Sequence, residues 1–223
     1  YVIDTYFRTL WYGVLAAIVC SIVAFPASYA LAFKASPVVQ RIALFLLITP
    51  FFTSYLVRVY SWQTVLSDKG LLNGVFALVG LGPFEMLNNL FGTMVGYLTL
   101  TLPLVILLQF FSMSNVDKNL IEAAHNLGCG RLRTIFMVIV PSAKIGIILA
   151  GTFAFILCFG DVVSPVSLGG SKPPTLSILI VDTVKQGNNW PRAAVVAVVM
   201  VLTLIVVAFT ALYFAYGVRK AKT

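Results

Sequence analysis

Residue types capable of chemistry are scarce in this chain, and their spacing favours docking over catalysis. His125 is the only histidine, so a histidine-built metal site within the chain is not expected. Cys20, Cys129 and Cys158 are odd in number and show no metal spacing. Two of them lie in apolar runs, where a free thiol packs as a small residue. The acidic residues are scattered, so no cluster suggests an enzyme site. No phosphate loop of the form G-x-x-x-x-G-K-[ST] is present, so the chain is not expected to hydrolyse ATP or to hold a cofactor of its own. One polar stretch stands apart: residues 122–141, EAAHNLGCGRLRTIFMVIVP. Ala123 and Ala124 leave a smooth surface for close approach by a partner's backbone. Glu122 with Arg131 or Arg133 supplies charge to orient that partner.

The elements around this stretch must be membrane spans. The 223 residues are 60% hydrophobic and 10% charged, with mean hydropathy +1.00. That is too little charge for a soluble domain of this length, so lipid is the expected solvent for much of it. The net charge of +8 sits at the ends of apolar runs, which suits orientation in a bilayer better than nucleic-acid binding. Residues 1–9 lack the basic region and cleavage site of a signal peptide.

Charges bound five apolar runs. They lie between Arg8 and Lys34, Arg41 and Arg58, Glu85 and Asp117, Lys144 and Asp161, and Arg192 and Arg219. Three are long enough to cross at ~1.5 Å per residue. The second and fourth are short, which suits tilted or broken helices lining a cavity. Pro26 is expected to kink the first span, Pro103 lies inside the third, and the fourth is expected to begin near Pro141 with Lys144 snorkelling. Lys34, Arg41, Lys118, Arg131, Arg133, Lys144, Arg219, Lys220 and Lys222 fall on one side. Arg8, Arg58, Lys69, Lys172, Lys185 and Arg192 fall on the other, with most of the acids. The first side reads as cytoplasmic.

Residues 112–141 then form an inner loop, and residues 61–90 and 161–191 are external. Asp117 is placed to cap a helix from Lys118, Gly128 to end it, and a second helix runs from Arg131 toward Pro141. Residues 68–92 read as short interfacial helices, and residues 173–186 as a short helix folding over a cavity mouth. A helix-turn-helix DNA reader has a similar rhythm, but the flanking spans leave too little chain to seat one.

The pattern Glu122-Ala123-Ala124, Gly128, Val138, Val140, Pro141 resembles the signature of inner-membrane permeases of bacterial ABC importers. Its spacing is EAA, three residues, Gly, nine residues, Ile, any, Leu, Pro; Val138 and Val140 replace Ile and Leu. PFFTSYLVRVYSW at residues 50–62, LLN at 71–73 and FGDVVSPVSLGG at 159–170 resemble the spermidine/putrescine type. The resemblance implies an all-α integral membrane bundle of the type I importer class, forming a single permease domain over residues 1–223. Family members typically have six spans; five are read here, with the first missing. The implied partners are a second permease chain, two ATP-binding subunits that hold ATP and Mg, and an external substrate-binding protein, all at the bacterial inner membrane. Glu122, Ala123, Ala124, Gly128, Arg131 and Pro141 are the implied coupling residues.

For the path, Asp161 either marks the water boundary or contacts a cationic cargo or the gate. Tyr60 and Trp62 either anchor the interface or stack on an alkyl-ammonium. Arg58 near the same mouth would repel a polycation and could pair with Asp161 or hold an anionic cargo. The resemblance implies a path for a small organic solute, a polyamine or related cation, or alternatively an opine, ferric iron or thiamine. Pro165, Gly169 and Gly170 are expected to shape an external loop that touches the binding protein or forms the outer gate. A secondary transporter would want ionisable residues near span centres, and none is read there.

Overall fold

A stripe of small residues on the first helix sets the bundle. A computed structural model describes residues 2–80, 82–171, 173–187 and 189–217. Lys172, Arg219, Lys220 and Lys222, used above for orientation, lie outside the described residues. Helix α1 (Val2–Phe33) buries Thr5, Thr9, Gly13, Ala16, Cys20, Ala24 and Ser28, spaced three or four apart on one face. Against that face pack α5 (Leu90–Ser114) and α9 (Lys144–Gly160), and these three helices make the densest contacts of the structure. Apolar burial gives helices in lipid no net attraction, so close approach along small residues is what holds them. One core cluster accordingly mixes Cys20, Ala24, Ala150 and Ala154 with Val105 and Ile106.

Polar cross-links pin the register. The Ser28 hydroxyl donates to Gln109 Oε1 at 3.0 Å, and Gln109 Nε2 donates to the Ser21 carbonyl at 3.2 Å. Gln109 and Ser28 are wholly buried.

Helix α12 (Trp190–Gly217) runs along α9, and most of its length faces outward. Three helices, α1, α5 and α12, are each long and apolar enough to cross a membrane. The two short runs are bent pairs, and the count rises to five if each is one span. In the first pair, α2 (Pro37–Ile48) and a 3-10 turn (Thr49–Phe52) meet α3 (Tyr55–Leu66) and α4 (Leu71–Leu78) at 97°. In the second, α7 (Arg131–Thr134), a π-helical turn (Ile135–Ile139) and α8 (Val140–Ser142) meet α9 at 76°. The straight part of the fourth run starts at Lys144, three residues after Pro141. Pro141 has no N–H to give and crowds the preceding turn, so the helix widens before it and bends after it. The Val140 N–H reaches back five residues to Ile135.

Among the described residues, one short helix, α4, rather than several, precedes the start of α5 in residues 68–92. The buried side chain of Asn73 donates to the Ser67 and Phe84 carbonyls and accepts from the Phe84 N–H, so it ties the segment shut without further helices. Beyond it, α10 (Val163–Ser167) leads to α11 (Leu176–Lys185). α11 packs along α12. Its N-terminus is buried against α1 and α12, where the Thr9 hydroxyl accepts from the Leu176 N–H at 2.9 Å. Leu176 packs there with Phe155, Phe159 and Val196.

The Ser28–Gln109 link predicts a measurable coupling. A double-mutant cycle of Ser28→Ala and Gln109→Ala, read by denaturation in detergent, should give a coupling of about 0.6–1.7 kcal/mol. Additive effects would mean that the two side chains stabilise independently.

Candidate functional site

Two groups of residues lie at opposite ends of the bundle. At the inner end, helix α6 (Lys118–Asn126) and α7 form the hairpin. Asp117 caps α6 by accepting from the Asn119 N–H at 2.9 Å. Gly128 closes it with φ +80°, a backbone that side-chain-bearing residues rarely adopt, and the Gly128 N–H returns to the His125 carbonyl. Gly130 precedes α7. Both predicted helices are therefore present where the caps require them.

The faces of α6 differ from the expectation of a smooth alanine pair. Ala124 is buried and Ala123 is exposed, so one alanine faces out and the other packs inward. The hundred-degree step between successive helical residues separates them. Glu122 and Arg131 both line a cavity between the hairpin and the end of α1. Leu127 at the turn is 85% exposed and Leu120 is also exposed, both away from that cavity, while Leu132, 72% exposed, lies at its edge. Pro141 lies beyond the π-helical turn, away from the tip.

At the other end, the side chain of Asp161 is 8% exposed. Its carboxylate accepts from the Tyr55 hydroxyl at 2.6 Å and from the Val163 and Ser164 N–H groups. Tyr55 also meets the Ser164 hydroxyl. A Cβ on Gly96 would strike Ser164, which places this cluster level with the Gly96 turn of α5. Asp161 thus sits roughly 9 Å along α5 from Leu90, the end of that helix. Three protein donors occupy it.

Arg58 does not pair with Asp161. Its Nη1 donates to the Thr99 carbonyl at 3.2 Å, and its guanidinium lies 5.8 Å over the Tyr55 ring. Pro103 stands four residues after Thr99 and has no N–H to offer that carbonyl. Arg58 supplies the missing donor, as a buried backbone group in lipid requires. Arg58 thus lies in the first turn of α3, just after the bend of the second run.

Trp62, one turn further along α3, walls a groove of ≈ 420 Å³ with Leu98, Thr99, Leu102 and Pro103. Tyr60 points the other way and is 55% exposed. Pro165 and Gly169 are buried. The loop they shape packs onto the bundle, with the Asn88 N–H donating to the Leu168 carbonyl at 2.8 Å. Gly170 has φ +68° beside Asn88.

The family model for the binding-protein-dependent transport system inner membrane component matches residues 17–220. The chain belongs to that family. It is similar to the spermidine/putrescine transport system permease protein PotB of Haemophilus influenzae, with 28% identity over 197 residues, 87% of this chain and 68% of that protein. It is also similar to the inner membrane ABC transporter permease protein YdcU of Escherichia coli K12, with 27% identity over 231 residues, 97% of this chain and 71% of that one. Among solved structures, a bacterial alginate ABC transporter in complex with an alginate pentasaccharide-bound periplasmic protein matches at TM-score 0.74. Identity there is 15%, over 99% of this chain and 80% of that one. At such identity the likeness speaks to the fold. The chain is a multi-pass inner-membrane permease of the ABC importer kind.

In this permease several site residues escaped the sequence reading. Tyr55 and Ser164 carry no signal apart from their neighbours, and only the fold brings them to Asp161. Leu127 was legible in principle as an apolar residue directly before a helix-ending glycine. Asn73 stood inside the LLN motif, and its role needed the facing Phe84 backbone.

Removal of the Asp161 carboxylate strands a hydroxyl and two N–H groups in a dry site. Asp161→Ala should therefore lower stability toward unfolding in detergent by about 3 kcal/mol. An Asp161→Ala permease as stable as the parent would show that water or another acceptor takes over.

Proposed function

We propose that this permease forms half of the translocation path for a small organic cation of the polyamine class, and that its inner hairpin is gripped by a separate ATP-hydrolysing subunit. The exposed apolar knob at the hairpin tip carries this reading. Leu127, flanked by Leu120 and Leu132, stands out from a capped, short-turned element that is otherwise polar. An apolar side chain on a rigid turn gains by entering a partner's pocket, and buried anchors of this sort dominate interface energies. The partners implied are a second, paralogous permease, two subunits holding ATP and Mg, and an external binding protein. ATP-driven closure of those subunits would displace the hairpin, whose contacts must differ between the two states for any work to be done.

The test uses the assembled transporter in vesicles. Leu127→Asp should abolish coupled uptake by placing a charge in the partner's pocket. Gly128→Val should do likewise by straining the turn. Both permeases should still reach the membrane. The permease alone should hydrolyse no ATP. Cys129 is partly exposed, whereas Cys20 and Cys158 are buried. A membrane-impermeant maleimide should therefore label Cys129 from the inner face, and the ATPase subunit should protect it. Undiminished uptake by Leu127→Asp, or labelling from the outside alone, would overturn the assignment.

The PotB relatives support a polyamine cargo. The Trp62 groove offers an aromatic face to an alkyl-ammonium, an attraction of about 0.5–2 kcal/mol. Arg58 keeps its positive charge beside Thr99 and the Tyr55 ring, which opposes a polycation there and must be outweighed by the cargo's other contacts. Trp62→Ala should reduce spermidine uptake roughly three- to thirty-fold with assembly intact, while Trp62→Phe should retain most of it. If neither substitution alters uptake, the groove does not touch the cargo.

A further inference from the structure

The cavity behind the hairpin is built differently from the hairpin's outer face. It measures ≈ 960 Å³ and lies between the end of α1, the start of α2, and the α6–α7 pair. Its floor is apolar and aromatic: Tyr29, Phe33, Ile135 and Ile139 line it. This floor is continuous with the core cluster of Met113, Val116, Ile139 and Ala143. Its rim carries Lys34, Lys118 and Arg131 against a single carboxylate, Glu122. Among the described residues no ion pair joins Glu122 to these cations. Lys34 instead stands 5.7 Å over the Tyr29 ring, at the junction of apolar floor and charged rim. The cavity opens beside α2, which buries none of its residues and presents Val38, Ile42 and Phe45 outward.

We propose that this cavity binds one anionic phospholipid of the inner leaflet, phosphate on the rim and acyl chains along the floor and α2. Three observations favour this amphiphile over a soluble anion or a protein segment. The charge excess is positive at the end of the bundle read as cytoplasmic, where anionic headgroups meet basic pockets between helices. The floor is apolar, which a free phosphate would leave unused. The mouth adjoins an unpartnered apolar helix, which gives acyl chains a lateral entry. The lipid would brace α6 from behind, with Lys34, Lys118 and Arg131 at its phosphate and Glu122 turned from it. The proposal rests on the hairpin's end being the inner one.

The experiment titrates the purified, fully assembled transporter with phosphatidylglycerol and with phosphatidylcholine, reading bound lipid by native mass spectrometry. One phosphatidylglycerol per copy of this chain should bind in preference to phosphatidylcholine. Lys34→Gln with Lys118→Gln should weaken it about 25-fold, at about fivefold for each cation removed. Lys34→Arg with Lys118→Arg should restore it, which separates lost charge from lost folding. Equal retention by the Gln pair would overturn the proposal. So would displacement of the lipid by inorganic phosphate or ATP, which would identify a soluble phosphate ligand. So would crosslinking of position 118 to the ATPase subunit with no lipid retained, which would assign the cavity to that protein. Impermeant labelling of Cys129 from outside would instead refute the orientation alone, and is read separately.

Discussion

Close approach of three helices along small side chains is the constraint on which the remaining structure depends. In water the burial of large apolar residues would drive such a bundle; in lipid that drive is absent. The face of α1 running from Thr5 through Gly13 and Cys20 to Ser28 replaces it with backbone proximity. Gly13 makes the point locally, since a Cβ there would stand 3.0 Å from the Phe155 ring. The same face also supplies the bundle's polar bonds. Thr9 caps α11, Ser28 binds Gln109, and the Thr101 hydroxyl reaches the Cys20 sulfur at 3.3 Å. A small-residue face therefore sets both the spacing of the helices and the positions of the segments folded onto them.

Unsatisfied polar groups explain most of what is irregular. Every proline inside a helix leaves a carbonyl without its usual donor, and lipid offers none. At Pro103 the donor is Arg58, brought in by the 97° bend that turns α3 across α5. At the short end of α9 the peptide chain must turn while still below the outer end of α5. Asp161 satisfies the turn by accepting from two N–H groups and from Tyr55. These two residues look alike in sequence, as charges ending short apolar runs. In the structure both are fasteners of backbone at depth.

This explains which parts were legible in the sequence. Apolar run length, caps and breakers are local, so α1, α5, α12 and the α6–α7 hairpin followed from them, as did broken geometry in the short runs. Asp117 and Gly128 act on their own turns and were readable. Pairings between distant segments were not: Asp161 with Tyr55 spans 106 residues, and Leu176 with Thr9 spans 167. Spacing alone suggested a pairing of Arg58 with Asp161, because the carbonyl freed by Pro103 belongs to a different helix. The alanine pair was misread for a simpler reason. Adjacent residues on a helix point in different directions, and which one faces inward depends on where the α1 end lies.

The path from hairpin to groove follows from the same bonds. The hairpin joins α9 through the π-helical turn and the 76° bend at Ala143, so a displacement at Leu127 reaches α9 through backbone alone. α9 cannot turn by itself, since Ala150 and Ala154 are locked among α1 and α5. The three helices must then tilt together. α2 is tied to α1 by the Gln40 amide, which donates to the Leu31 carbonyl at 2.8 Å, while α3 is tied to α9's far end through Tyr55 and Asp161. A tilt of the trio therefore bears on α3 at Tyr55 and, through Gln40, on α2. Beside these fasteners lies the groove between α3 and α5, where Trp62 faces Leu98 and Pro103. The hairpin's helix and that groove are thus joined by two side-chain fasteners, Asp161 with Tyr55 and Arg58 with the Thr99 carbonyl.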